Sequence, residues 1–130
     1  MTDTSQLQPE ADASGELTDL VEEWLDREAC AERLGVSVSR VRTMIREHHL
    51  AAIVPAAGAG QQVPAALLQD GDVVKGVPGV LTVLHDAGYD DAEVLTWLFT
   101  PDESIPGRPI DALRENRGSE VKRRAQAMGF

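Results

Sequence analysis

The stretch REACAERLGVSVSRVRTMIREHH, residues 27–49, decides the fold. It predicts two short helices, one over about 27–34 and one over 38–48, because apolar side chains recur at helical spacing in both. Gly35 supplies the positive φ that a tight turn between helices needs, and Ser37 is a good N-cap for the second helix. Two short helices joined by such a turn form a helix-turn-helix.

The apolar side chains around the turn fit the same motif. Ala31 lies four residues before Gly35 and is small enough for the point where the two helices cross. The other apolar positions of the motif are filled by Cys30, Leu34, Val36, Val41 and Met44. We expect the core of this domain to be held together by Trp24, Ala31, Leu34, Val41 and Ile45.

The second helix has two chemically different faces. At about 100° per residue, its apolar arc consists of Val38, Val41, Met44, Ile45 and His48. Guanidinium groups bind phosphates or guanine edges, and small hydroxyls allow close approach to a groove. The pattern therefore predicts a recognition helix over 38–48 that enters the DNA major groove through Ser39, Arg40, Arg42, Thr43 and Arg46. The alternative is an ordinary amphipathic helix with a solvated face.

Charge is distributed unevenly along this acidic chain. Residues 1–32 contain ten acidic residues against Arg27 alone, a balance of −9, which leaves −1 of the total −10 for residues 33–130. Within that remainder, four arginines (33, 40, 42 and 46) oppose only Glu47, a local charge of +3. Phosphate responds to charge within a Debye length of about 8 Å, so a basic face can act on an acidic chain. Residues 1–16 are too polar to form a core and are predicted to be a disordered acidic tail.

The winged domain is predicted to span 17–70. A helix is expected from the spacing of Leu17, Leu20, Val21, Trp24 and Leu25. A β-hairpin wing follows the recognition helix, with strands at 50–54 and 61–63 around a tip at 55–60. This wing contains neither Lys nor Arg. It therefore offers DNA only backbone amides and Gln61 or Gln62, which predicts few phosphate contacts.

A second unit is predicted over 75–130, after a hinge at 71–76. Pro78 and Gly88 bracket one helix, and Asp90 with Glu93 forms a capping box that opens the next. A loop over 101–109 and helices over 110–114 and 119–128 complete the unit. Its core is expected to contain Leu81, Leu84, Leu95, Trp97 and Leu98. The fold class is mainly α: a winged helix-turn-helix with a short β-hairpin wing plus a small C-terminal helical bundle.

The sequence argues against several other classes of protein. Cys30 is the single cysteine, which excludes a disulfide framework and a cysteine-based metal site. No signal peptide precedes the domain and no apolar run reaches the ~18 residues of a membrane span, so a cytoplasmic protein without membrane partners is expected. His48, His49 and His85 show no metal-binding spacing with acidic residues, and no nucleophile elbow or phosphate loop is present. We therefore expect no metal, no cofactor and no enzymatic activity.

Two stretches resemble known families. WLDREACAERLGVSVSRVRTMIREHHLAAI followed by QQVPAALL resembles the winged helix-turn-helix of excisionase and MerR-type regulators. VVKGVPGVLTVLHDAGYDDAEVLTWLFTPDESIPGRPIDAL, residues 73–113, followed by EVKRRAQAMGF, residues 120–130, resembles an actinobacterial family of small DNA-binding proteins that join this domain to a helical C-terminal domain. The resemblance covers about residues 20–130. The resemblance implies binding of double-stranded DNA by a transcriptional regulator or nucleoid-associated protein.

The same family includes a mycobacterial member that is a substrate of a membrane serine/threonine kinase. The resemblance therefore implies, more weakly, a kinase partner and phosphorylation of a threonine near the amino terminus. Thr4, beside Asp3, is the principal candidate, and Thr2 and Thr18 are two others. A phosphate would add about −1.5 to −2 charges and repel DNA further. The alternative is that these threonines are merely solvated.

The segment TWLFTPDESIPGRPIDALRENRGSEV, residues 96–121, also resembles the toxin-binding domain of some antitoxins. That resemblance implies an alternative function, an antitoxin-like module that binds a protein partner through the C-terminal domain. The competing interpretation assigns Trp97, Leu98, Phe99, Ile110 and Leu113 to the core. The run Lys122, Arg123 and Arg124 is either a second phosphate contact or the solvated end of a helix.

Overall fold

The structure, a computed structural model, describes residues 17–128 and is mainly helical, as predicted. Residues 17–20 form a helical turn, and 65–67 form a short 3₁₀ turn. The helices are α1 (Arg27–Leu34), α2 (Val38–Arg46), α3 (Val77–Asp86), α4 (Asp91–Phe99), α5 (Pro109–Arg114) and α6 (Gly118–Ala127). The strands are β1 (Trp24–Asp26), β2 (Gln62–Pro64), β3 (Leu68–Gln69) and β4 (Asp72–Val73). The predicted acidic tail at 1–16 lies outside the described residues.

Local capping interactions define the helix-turn-helix. The Asp26 carboxylate accepts a hydrogen bond from the backbone N–H of Ala29 at 2.7 Å and begins α1. Gly35 ends that helix in the left-handed conformation, with φ 70° and ψ 33°. The Ser37 hydroxyl then accepts a hydrogen bond from the backbone N–H of Arg40 at 3.0 Å and begins α2. The predicted turn glycine and N-cap are both confirmed.

The conformation of Gly35 leads to a stability prediction. No atom lies within 4 Å of the point where a Cβ at this position would stand, so a substitution costs conformational energy alone. We expect Gly35→Ala to lower the free energy of unfolding by about 1–2 kcal/mol, the cost of left-handed backbone for an ordinary L-residue. Gly35→Asn should cost less, because Asn tolerates this conformation. Urea denaturation measures both values, and an Ala variant as stable as the parent would contradict the prediction.

The segment before α1 differs from the predicted helix. Trp24 and Leu25 lie in β1, which pairs antiparallel with β2 in the register Trp24↔Pro64 and Leu25↔Val63. Leu25 and Val63 are both buried and lie opposite one another across the ladder. The apolar spacing fitted a helix, but pairing with a strand about 40 positions later determines the conformation. Trp24 is only half-buried.

The recognition helix and the wing are both shorter than predicted. The helix ends at Arg46, because His48 adopts φ 63° and the N–H groups of His49 and Leu50 turn back to the carbonyl of Met44. The prediction of a strand at 50–54 is wrong, because Ile53 forms only a single β-bridge, with Gln62. The return strand at 62–64 instead pairs mainly with β1.

The predicted hinge at 71–76 is partly ordered by hydrogen bonds. β3 and β4 pair antiparallel around a turn in which Asp70 and Gly71 both have positive φ. The N–H of Val74 then donates to the carbonyl of Leu67 at 2.8 Å. The chain therefore passes from the winged part to the C-terminal helices through a hairpin.

Helix punctuation in the C-terminal part agrees with the prediction. Pro78 lies in the first turn of α3, and Gly88 follows its end with φ 101°. Asp90 and Glu93 form a reciprocal capping box at the start of α4. Four of the five predicted core residues are buried, namely Leu81, Leu84, Leu95 and Leu98. Trp97 is half-buried instead.

One continuous apolar core joins the winged part to the C-terminal helices. Polar contacts cross the same boundary. The Arg114 guanidinium donates to the carbonyls of Ala66 and Leu68 at 2.8 and 2.7 Å. The carboxylate of Asp91 accepts from the N–H of Ala52 at 3.0 Å. None of the helices within residues 17–128 is long and apolar enough to cross a lipid bilayer.

Arg108 forms a third link across this boundary. Its guanidinium contacts the carboxylate of Asp111 at 2.9 Å and that of Glu22 at 3.1 Å, and it donates to the carbonyl of Leu20. The hydrogen bond from Arg108 lowers the pKa of Asp111, and it also lowers that of Glu22.

The ion pair between Arg108 and Asp111 predicts a specific dependence of stability on pH. Since the folded-state pKa of Asp111 is depressed, its ion pair with Arg108 adds to the free energy of unfolding above the ordinary carboxyl pKa. This contribution is lost as the pH falls through the folded-state pKa of Asp111. We expect Asp111→Asn to cost about 0.5–1 kcal/mol at pH 6, because the pair is partly screened by solvent. The difference between variant and parent should vanish towards pH 2. Urea unfolding across this range tests it, and a difference that stays constant with pH would contradict the assignment.

Candidate nucleic-acid interface

The two faces of α2 are as the sequence predicted. Its buried side chains are Val41, Met44 and Ile45, which anchor the helix in the core. Ser39, Arg40, Arg42 and Arg46 are exposed, whereas Thr43 is half-buried. His48 lies beyond the end of the helix and is half-buried. The predicted site residues therefore lie on one helix whose opposite side is fixed by packing.

The arginines of this face are exposed, and they have no acidic partner in the part of the chain that the structure describes. Within residues 17–128, no ion pair engages the guanidinium groups of Arg40, Arg42 or Arg46. The Nη2 of Arg46 donates to the Thr43 hydroxyl at 3.2 Å, and that hydroxyl donates to the carbonyl of Ser39 at 3.2 Å. Thr43 thus helps to position Arg46 over the exposed face.

Arg33 does not contribute to this basic surface as the sequence suggested. Its Nη2 lies 2.9 Å from Oε2 of Glu23, an exposed pair that offsets its charge. The two residues are ten positions apart, and β1 separates them in the chain. The predicted local charge of +3 is therefore too high: the three arginines of α2 against Glu47 give +2.

Arg27 is a basic residue of this region that sequence reasoning missed. It is the first residue of α1, and its Nη1 donates to Oε1 of Gln61 at 3.3 Å. This contact places a guanidinium at the base of a wing that has no Lys or Arg of its own. Its position at the start of the first motif helix was the available clue, but its acidic neighbours concealed it.

The turn between α1 and α2 borders an acidic groove. Val36, predicted to be an apolar core position, is 37% exposed because it lies in the turn, outside the buried face of either helix. The residues lining this groove include Asp26, Glu28 and Glu32. Their charge disfavours the binding of an anion in this groove.

The C-terminal helices keep most of the proposed partner-binding residues inside. Leu98, Phe99, Ile110 and Leu113 are buried in the core. Trp97 reaches the surface and lines an open groove with residues 100–104 and Arg124. Arg124 faces the carboxylate of Asp102 at 3.8 Å, and all three residues of the run Lys122, Arg123 and Arg124 are exposed.

Comparison with known proteins identifies the family. Residues 12–68 match the family described as "DNA-binding protein Rv2175c, wHTH domain", and residues 74–129 match "Rv2175c C-terminal domain of unknown function". The chain is 42% identical over 131 residues to the DNA-binding protein Rv2175c of Mycobacterium tuberculosis, covering 91% of this chain and 88% of that relative. The chain belongs to the Rv2175c family.

A solved structure agrees with this assignment to the Rv2175c family. The NMR structure of Rv2175c superposes with a TM-score of 0.75 and 43% sequence identity, covering 84% of this chain and 82% of that one. The winged helix-turn-helix fold class predicted from the sequence is confirmed by this neighbour and by the match over residues 12–68. The family resemblance noted from residues 73–113 is likewise confirmed.

Proposed function

We propose that this protein binds double-stranded DNA through α2 and acts in the cytoplasm as a transcriptional regulator or nucleoid-associated protein. The observation that carries the proposal is the exposed face of α2, where three arginines are without an ion-pair partner among residues 17–128. The name of the 42% identical relative, a DNA-binding protein, supports the same function.

The geometry suggests a role for each polar residue of α2. At about 100° per residue, Ser39, Thr43 and Arg46 lie nearest the centre of the exposed arc, which is the part of a helix that meets base edges in the major groove. Ser39 and Thr43 are small, so they permit close approach while Arg46 reaches bases or phosphates. Arg40 and Arg42 lie towards the two margins of the arc, from which their long side chains can reach bases or phosphates. Burial of Val41 and Ile45 holds the helix in one orientation.

Arg27 and the wing extend this surface beyond α2. We expect Arg27 to contact a backbone phosphate next to the wing, with Gln61 and the wing amides as neutral neighbours. Arg27→Gln should therefore weaken binding to every duplex by a similar factor and reduce the salt slope by about 0.9. Fluorescence anisotropy at several salt concentrations measures the slope. A sequence-dependent loss with an unchanged slope would show that Arg27 does not touch phosphate.

The salt dependence of DNA binding tests the proposed function. Three to four phosphate contacts predict that log K falls with log salt at a slope between about −2.7 and −3.6. Affinity for a mixed-sequence duplex should thus fall roughly 40- to 150-fold between 50 and 200 mM NaCl. Binding that is absent at 50 mM NaCl, or that does not change with salt, would contradict the proposal.

We further propose that a serine/threonine kinase regulates this binding by phosphorylating a threonine near the amino terminus. Thr4 and Thr2 lie outside the described residues, while Thr18 is exposed in the helical turn at 17–20. Added negative charge should oppose DNA. Thr4→Asp should then bind duplex more weakly than Thr4→Asn, its neutral control. Equal affinities for these two variants would exclude this position.

A further inference from the structure

Three side chains from distant parts of the sequence meet where α2 adjoins the C-terminal helices. His48 follows the end of α2, His85 lies in α3, and Asp91 is the first residue of α4. One ligand atom from each of them lies within 4.8 Å of the others. The two imidazole rings stack with centroids 3.8 Å apart, and Nε2 of His85 lies 2.7 Å from Oδ1 of Asp91.

Two nitrogen atoms of this cluster have no hydrogen-bond partner among residues 17–128. Nδ1 of His48 and Nε2 of His85 are shielded from solvent, and neither forms a hydrogen bond with the described part of the chain. Oδ1 of Asp91 lies 2.7 Å from Nε2 of His85, but it does not lie along the direction in which an N–H of the ring would point. Buried polar atoms are normally satisfied, so these two nitrogens are available to bind a water molecule or an ion.

The carboxylate of Asp91 is held in place by the backbone. Its Oδ2 accepts a hydrogen bond from the N–H of Ala52 at 3.0 Å, which leaves Oδ1 directed at the imidazole of His85. Such support from a neighbouring group is typical of carboxylates that bind metals. The side chains of His85 and Asp91 remain 12% and 23% exposed, so an ion can reach them from solvent.

We propose that His48, His85 and Asp91 bind one divalent transition-metal ion, with Zn²⁺ the best fit. Two imidazole nitrogens and one carboxylate oxygen form a donor set that Zn²⁺ accepts, with water in the fourth position. Ligands at about 2.0–2.1 Å from a tetrahedral ion lie roughly 3.3 Å apart. The 2.7 Å contact between His85 and Asp91 must therefore open by about half an ångström. One imidazole must also rotate out of the stack, because the in-plane lone pairs of two nearly parallel rings 3.8 Å apart cannot both point at one ion.

Such an ion would connect the DNA-reading helix to the C-terminal helices. His48 adopts φ 63° at the point where the chain leaves α2, so the position of its imidazole depends on the position of the helix end. Coordination by His85 and Asp91 would fix that end against α3 and α4. The site was not expected from the sequence because its ligands are 37 and six positions apart and show no motif spacing.

Calorimetry and cobalt spectroscopy test this site. The full chain, made without a polyhistidine tag and freed of metal by chelation, should bind one Zn²⁺ per molecule. Saturating Zn²⁺ should raise its Tm by roughly 5–10 °C. Co²⁺ should give the visible absorption of a tetrahedral site. His85→Gln should abolish both effects, and His49→Gln, which alters the neighbouring third histidine, should preserve them.

Two further variants keep the test decisive if His85→Gln is unfolded. His48→Asn removes an imidazole yet tolerates positive φ, and Asp91→Asn can still accept the hydrogen bond from Ala52. Each should retain the circular dichroism of the parent and lose the Co²⁺ spectrum. The proposal is overturned if the parent binds no Zn²⁺ up to millimolar concentration, or if folded His48→Asn and Asp91→Asn bind the ion as tightly as the parent.

Discussion

Replacing Arg42 and Arg46 together by alanine should weaken binding to duplex DNA by at least about 30-fold, because each contact contributes about 1–3 kcal/mol. Both side chains are exposed, and their only side-chain hydrogen bond within the described residues joins Arg46 to Thr43. The folded structure should therefore be unaffected. Fluorescence anisotropy at 100 mM NaCl, with circular dichroism as the check of folding, measures the effect.

A matched control separates contact from overall charge. Lys122→Ala plus Arg123→Ala removes the same two positive charges from exposed positions on α6. With Lys122 and Arg123 as the solvated end of a helix rather than a second phosphate contact, such a change acts only through long-range attraction, which is screened beyond about 8 Å at physiological salt. The control should lose no more than a few-fold in affinity. Equal losses in the two double variants would show that net charge, rather than α2, determines binding.

Phe99→Ala should lower the free energy of unfolding by about 3–5 kcal/mol. Phe99 is fully buried near the end of α4, and the guanidinium of Arg108 lies 5.4 Å from the centre of its ring. Removing the ring leaves a cavity and withdraws the surface against which Arg108 is placed. Val36→Ala is the control. Val36 is exposed, so this substitution should lower the free energy of unfolding by less than about 0.5 kcal/mol.

The same variant tests whether the continuous core unfolds as one unit. The chain has two tryptophans, Trp24 in β1 and Trp97 in α4, so each half contains its own fluorescent reporter. In a Trp97→Phe background, Trp24 alone reports on the winged part. Phe99→Ala should lower the denaturation midpoint reported by Trp24, because both parts share one core. An unchanged Trp24 midpoint would mean that the two parts unfold independently.

Features set by neighbours in the sequence could be predicted. Gly35, Ser37 and the Asp90–Glu93 capping box act over three or four residues, and the structure has each as expected. The faces of α2 follow from helical periodicity alone, so the exposure of its arginines could also be predicted. The residues that form the candidate interface on α2 therefore lie in one short segment of the sequence.

Features that depend on distant partners could not be predicted. The apolar spacing in β1 predicts a helix, because the pairing of β1 with β2 is not visible in the local sequence. Arg33 is predicted to belong to the basic surface, because its ion pair with Glu23 is not visible there either. Arg27 gains its importance only through Gln61, which lies 34 positions away. In each case a long-range contact overrides the local pattern, and sequence periodicity carries no information about such contacts.

The uneven charge of the chain has a physical consequence for DNA recognition. Acidic groups line the groove near the start of α1, while the arginines of α2 face solvent without acidic partners in the region described by the structure. A duplex is therefore attracted by the arginines of α2 and disfavoured in the acidic groove. Only a few positive charges of α2 face solvent, so we expect the affinity for DNA to be modest.

An NMR titration of the labelled protein with a duplex at 50 mM NaCl tests the central claim most directly. Amide shifts should be largest for residues 37–46, with smaller changes at Arg27 and Gln61. Shifts concentrated instead around Trp97 and residues 100–104, with α2 unaffected, would contradict the assignment of α2 as the DNA-reading element.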